Sequence, residues 1–252
     1  MRQNVLNALL AIGGDDARIV PAVVEAARQD NGFNRSLILN VLAAHGSKAS
    51  AAVPWLVEQL HLPPSAATIQ LIETLRRIDA ARARKEALPV LRTMLQAPSP
   101  WRVQAAEALC RLESGSEEGL NALMECLRSP DVNIRQQASL SLGTLGPAAR
   151  KAEDDLRKAL GDSVPQVRVN AARSLWLLMH ETERTLPVLR EVLKQASAGT
   201  YTRQQAASAL GLMGPAAKAA LPDLLALRDD PDVYLRNWVR DAITKIEPPA
   251  SK

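Results

Sequence analysis

An arginine returns at nearly constant spacing along the chain: Arg2, Arg35, Arg102, Arg135, Arg168, Arg203 and Arg236, with Thr68 at the one vacant position. The intervals are 33 to 35 residues. A second series runs in parallel through Pro21, Pro54, Pro89, Asn121, Asp154, Pro187 and Pro222. Such a period is the signature of a repeat architecture in which each unit is one supersecondary element. A unit this short cannot bury its apolar face alone and must stack on its neighbours. The repeat therefore decides the fold class before any single element is considered.

Within each unit, positions three, four and seven after the arginine are apolar or small. They read Ile38, Leu39, Leu42; Leu71, Ile72, Leu75; Ala105, Ala106, Leu109; Ala138, Ser139, Leu142; Ala171, Ala172, Leu175; and Ala206, Ala207, Leu210. Val5, Leu6 and Leu9 hold the same places in the first unit. This i, i+3, i+4, i+7 stripe belongs to an amphipathic helix, here helix A. Gly13, Gly46, Gly146 and Gly214 stand where helix A should stop, two of them followed by Pro. The second series opens helix B, with Pro in its first turn, where no N–H is needed. Leu56, Leu91, Leu123, Leu156, Leu189 and Leu224 lie two residues further on. Aromatics make up only 3% of the chain, so Leu, Ala, Val and Ile must fill the core. That suits closely packed helices and disfavours a β-sandwich. The pattern predicts an all-α fold of seven helix pairs plus a final helix, in one domain over 1–252. The repeats fall at about 1–33, 34–66, 67–100, 101–132, 133–165, 166–200 and 201–232, with a terminal helix at 233–247.

The segments Asp131-Val132-Asn133-Ile134-Arg135-Gln136-Gln137-Ala138 and Val167-Arg168-Val169-Asn170-Ala171-Ala172 carry a resemblance. So do Leu145-Gly146-Pro147-Ala148-Ala149 and Met213-Gly214-Pro215-Ala216-Ala217. These units resemble HEAT repeats, in particular the short bacterial type related to the repeats of phycobilin lyases. The resemblance implies a right-handed α–α superhelix, a concave face lined by the B helices, and ligands bound on that face. It also implies that the recurrent arginine pairs with an aspartate of the preceding loop, as in Asp131/Arg135, Asp162/Arg168 and Asp232/Arg236. Arg35, Arg102, Arg135, Arg168, Arg203 and Arg236 then form a structural ladder, because a residue present in every unit serves what every unit needs. Repeat 3 departs most, with Thr68 for arginine and Ile78-Asp79-Ala80 in place of Leu-Gly-Pro.

The charge pattern narrows the function classes. The net charge of +4 is spread along the chain and forms no clustered stripe, so nucleic-acid binding is disfavoured. Cys110, Cys126, His45, His61 and His180 show no zinc-site spacing. The two cysteines are read as core filler, although a disulfide stays open at this point. No apolar run reaches the length of a membrane span and no signal-peptide cleavage site is evident, so a cytoplasmic location is expected. There is no phosphate loop, HExxH or GxSxG, and no cofactor is expected.

The expected function is a protein–protein scaffold, not an enzyme. The candidate partner-binding residues on the B helices are Arg92, Arg128, Arg157, Lys158, Arg190 and Lys194, a modestly basic strip suited to an acidic protein or peptide. Trp55 is added as a partly exposed aromatic, and Trp101 is read the same way; Trp176 and Trp238 are placed in the core. The competing reading of the strip is a solvated face of mixed charge. The alternative classes are an enzyme of bilin-lyase or DNA-base-glycosylase type, the latter with Trp176 near Glu181 or Glu183, and a weak nucleic-acid binder. In the last helix Arg240, Asp241 and Lys245 give a polar outer face, whereas the first helix opens with Val5, Leu6, Leu9 and Leu10. This difference raises the expectation of an N-terminal continuation, or of self-association through the first helix.

Overall fold

A computed structural model describes residues 19–29, 34–65, 67–96 and 101–248. The first predicted helix, with Arg2, the Val5–Leu10 stripe and Gly13, lies outside the described residues. Among those described there is helix and no strand. The chain divides into two compact units, Met1–Glu113 and Ser114–Lys252.

The first unit contains α1 (Ile19–Arg28), α2 (Arg35–His45), α3 (Val53–Leu60), α4 (Thr68–Ile78), α5 (Ala80–Gln96) and α6 (Arg102–Leu112). The second contains α7 (Glu117–Cys126), α8 (Val132–Thr144), α9 (Glu153–Ala159), α10 (Pro165–Met179) and α11 (Thr182–Lys194). It continues with α12 (Thr200–Met213), α13 (Leu221–Leu225) and α14 (Val233–Ile246). Helices α2, α4, α6, α8, α10, α12 and α14 are A helices, and the others are B helices. Each A helix packs on the next A helix of its unit and on the B helices beside it. The predicted stripe explains this directly. Every stripe residue from Ile38 to Leu210 named above is buried, as are all six B-helix leucines.

Two glycines set how closely A helices approach. A Cβ on Gly143 of α8 would lie 2.3 Å from Ser174 Oγ and 3.0 Å from Ser174 Cα of α10. The Ser174 hydroxyl in turn donates to the Ser139 carbonyl of α8 at 2.6 Å. At the same repeat position, a Cβ on Gly211 of α12 would meet Ala242 Cα of α14 at 3.1 Å.

In repeats 2, 3, 5, 6 and 7 the connection from A to B takes two forms. Gly46, Gly146 and Gly214 have φ of +52°, +63° and +57°, which glycine adopts without steric cost. Each opens a seven-residue 3-10 segment: Gly46–Ala52, Gly146–Ala152 and Gly214–Ala220. Helix B then starts late, and Pro54 and Pro222 sit in its first turn as the sequence predicts. In repeats 3 and 6 the glycine is missing, helix B starts earlier, and Pro89 and Pro187 fall inside α5 and α11. A first-turn position was expected for both prolines. The ring removes one N–H there, so the carbonyl four residues back loses its helical donor. In repeat 6 His180 takes over the turn with φ +52°, and its N–H bonds to the Trp176 carbonyl at 2.9 Å.

Candidate partner-binding face on the B helices

The recurrent arginines hold each loop to the repeat beyond it. Arg135 donates from Nη1 to the carbonyls of Ser129 and Pro130, in the loop just before it, at 2.9 and 3.1 Å. Its Nε and Nη2 reach forward to Asp162 at 2.8 and 3.2 Å. Arg168 repeats the arrangement, with Nη1 on the Asp162 carbonyl at 3.0 Å and Nη2 on Gln195 Oε1 at 3.0 Å. Arg236 donates to the Asp230 carbonyl at 2.7 Å. Arg203 donates to the Leu193 carbonyl at 2.9 Å and lies 3.6 Å from Asp230. Arg35 bonds Gln59 at 3.3 Å, and Arg102 opens α6.

The expected partnership with the preceding aspartate persists as charge attraction, Asp131 on Arg135 and Arg168 on Asp162, without a side-chain hydrogen bond in either pair. The arginine takes the carbonyls of its own loop and the side chain one repeat further on, because the guanidinium points across to the next loop. Asp131 and Asp232 instead cap their helices, accepting from Asn133 N–H at 2.7 Å and from Tyr234 and Leu235 N–H at 2.9 and 3.0 Å. Asp162 serves both ends, accepting Arg135 and the Val164 N–H. Burial pushes its carboxyl up, but the Arg135 hydrogen bond, the Val164 N–H and the nearby arginines outweigh this and hold it below the ordinary 3.8.

Five of the six candidate cations lie on B helices, Arg128 follows two residues after the end of α7, and all six face carboxylates. Arg92 is 3.5 Å from Glu113. Arg128 bonds Asp155 at 2.6 Å, and Lys158 lies 3.9 Å from the same carboxylate. Arg190 bonds Asp223 at 2.5 Å, with Lys194 at 3.6 Å. Arg157 reaches Glu181 at 3.1 Å and Asp154 at 3.5 Å, and contacts Glu153. Arg28 bonds Glu58 at 3.3 Å, and His61 lies 3.6 Å from Glu86, in the first unit. In most of these pairs a cation in one repeat meets an acid 24 to 33 residues later. The strip is a charge-compensated ladder and not an uninterrupted basic surface.

Trp55 does not belong to the exposed face. It is 4% exposed and lines, with Arg28, Arg35, Ile38, Glu58 and Gln59, a cavity of about 190 Å³. The stripe of α3 runs through Trp55, Leu56 and Leu60, which turns the indole inward. Trp238, placed in the core from sequence, is 40% exposed because Leu235, Val239, Ala242 and Ile246 form the buried stripe of α14. Trp176 is partly buried and meets the His180 ring edge-on at 5.0 Å. Cys110 and Cys126 are buried and not joined in a disulfide, and burial, with Glu107 nearby, pushes the Cys110 thiol up to about 11.

Two features escaped the sequence reading. Asp155 and Asp223, each one residue after a B-helix anchor and two repeats apart, each accept two cations of the ladder; their shared place after the anchor would have shown it. An amide also recurs two residues after the first anchor position, at Gln70, Gln104, Gln137, Asn170 and Gln205. Gln70 donates to the Ser36 carbonyl at 3.2 Å and Asn170 to the Gln136 carbonyl at 3.0 Å, joining consecutive A helices.

Helix pairs of constant period, stacked through A-helix stripes and joined by loop-to-loop arginines, define an all-α repeat protein of the helical-solenoid class. The family profile for HEAT repeats matches residues 53–143 and 153–244, and the chain belongs to that family. No curated protein matches the sequence. Among solved structures, the chain is similar to the complex of CpcE and CpcF of phycocyanin lyase from Nostoc sp., at 22% identity and a TM-score of 0.50, covering 91% of this chain and 94% of that one. It is also similar to human deoxyhypusine hydroxylase in complex with glycerol, at 22% identity and a TM-score of 0.38, over 97% of this chain and 89% of that one. An engineered protein matches at 18% identity and a TM-score of 0.43, over 90% and 96%. The likeness to the lyase complex carries the fold alone.

Proposed function

We propose that the chain is a protein-binding scaffold, not a catalyst, and that its B helices supply the binding face. The observation that carries this reading is the series of partly exposed cations, most of them anchored by a carboxylate of the next repeat. Anchoring limits the rotamer freedom that long side chains lose on binding. A row of such groups at repeat spacing suits an extended polar partner surface better than one reacting centre.

The glycosylase reading needs a carboxylate free to act near Trp176. Glu181 is committed instead. Burial raises its pKa, but bonds from Arg184 and Arg157 prevail and lower it below the ordinary 4.5, a poor setting for an acid or base near neutrality. No helix of the described residues is long and apolar enough to cross a membrane.

The test is cross-linking capture by the purified full chain and two variants. Charge reversal at Arg92, Arg128 and Lys158 should abolish capture of a partner retained by the wild type. Leu212→Glu, on the exposed side of an A helix, should leave it intact. Capture that survives the B-helix reversals and fails with Leu212→Glu contradicts the reading.

A further inference from the structure

The B-helix ladder is not balanced along its length, and the imbalance points to a partner chemistry. On α11, Pro187, Arg190, Glu191, Lys194 and Gln195 line an open groove of about 450 Å³. Arg190 and Lys194 share one carboxylate, Asp223, while Arg168 lies 3.5 Å from Glu191. Three cations thus face two anions, an excess of one positive charge. Lys194 is 57% exposed, so its ammonium keeps a side open to a ligand.

At the other end of the same helix the sign reverses. Arg157 and Arg184 face Glu153, Asp154 and Glu181, two cations against three anions. Glu183 also acts on Arg184 and adds to the negative side. Glu181 and Arg190 are nine residues apart along the helix, a rise of about 13 Å. An extended chain covers that distance in about four residues.

We propose that the Pro187–Gln195 groove binds an acidic side chain of an extended partner segment. The segment lies along α11 and carries a neutral or basic residue about four positions from its carboxylate, opposite Glu181. Charge complementarity sets both preferences: the groove offers one uncompensated cation, and the Glu181 end repels a second acid. This inference rests on the B-helix reading above. The two fail separately, because the capture test there changes Arg92, Arg128 and Lys158 and leaves the groove intact.

The experiment measures fluorescence anisotropy of dye-labelled nine-residue Gly/Ser peptides titrated with the full chain at low salt. One peptide carries a Glu pair and one the matching Gln pair. Others add Lys, or a second Glu pair, four residues away on either side. The Glu peptide should bind at least tenfold more tightly than its Gln counterpart. Added Lys on one side should tighten binding several-fold, and a second Glu pair should not. Asp223→Asn, which frees both cations, should tighten the Glu peptide three- to tenfold, and Lys194→Gln should weaken it several-fold. Lys194 is largely exposed, so that second variant keeps the test decisive if Asp223→Asn fails to fold. Equal binding of the Glu and Gln peptides, or no binding by either, overturns the proposal. So does affinity that rises with every added Glu, or stronger competition from a twelve-nucleotide single-stranded DNA, since each marks general polyanion attraction.

Discussion

Arg135 and Arg128 are chemically identical and sit seven residues apart, yet their surroundings give them different work. Arg135 and its partner Asp162 are 14% and 12% exposed, and the guanidinium also satisfies two loop carbonyls. Arg128 is 62% exposed and meets one carboxylate. Arg135→Ala leaves three acceptors without their donor and should cost about 2–4 kcal/mol. Arg128→Ala, at an exposed pair screened by solvent, should cost much less, and urea unfolding of the two variants checks the contrast. The pH response follows from the carboxylates. Asp162 and Glu181 have pKa values lowered by folding, so in acid the unfolded chain binds more protons than the folded one. Their stabilisation is complete above the ordinary carboxylate range and is lost as pH falls through their folded values. Melting temperature should therefore fall on acidification below about pH 4.5, with a shallower slope in Asp162→Asn. Cys110 behaves oppositely: with its thiol raised to about 11, it should alkylate at pH 7.5 far more slowly in native protein than in urea. The roles of these residues were only partly legible. The period exposed the arginines because they recur, but their acceptors include backbone carbonyls, which no sequence pattern displays.

At the scale of the element, the A helices were readable in nearly every detail that depends on periodicity. The stripe residues are buried and the final helix runs Val233–Ile246, as the pattern predicts. The B helices were less readable, because their length depends on how the preceding helix ends. With Gly-Pro or Gly alone, a 3-10 segment intervenes and the B helix is 8, 7 or 5 residues long. Without it the helix runs 17 or 13 residues, straight through its proline, in repeats 3 and 6, and 10 residues in repeat 4, where α7 has no proline. Trp55 was misplaced for a related reason: counting from the anchor does not say how the helix is rotated about its axis. The close approach at Gly143 yields a sharp expectation. Gly143→Ala drives a methyl into Ser174 and should destabilise by about 1–3 kcal/mol, despite alanine's higher helix propensity. Gly211→Ala, meeting Ala242 at 3.1 Å, should cost less; denaturant midpoints of both variants measure the order.

Within each unit of the molecule, serial stacking means that each repeat depends on its neighbours and only weakly on distant ones. The same organisation puts the B-helix side chains of each unit at regular spacing, which is what the proposed binding face uses. The fold class was legible because every repeat restates it. The partner was not, since repeated residues report what all units share and binding specificity resides in the residues that differ, such as the cation excess at α11. Native-state hydrogen exchange on Gly143→Ala tests the stacking most directly. Amides of α8, α10 and the B helices packed on them should lose protection, those of α12 and α14 less, and those of α2 and α4 none. An equal loss from α2 to α14 would mean a single cooperative globule and contradict the serial architecture.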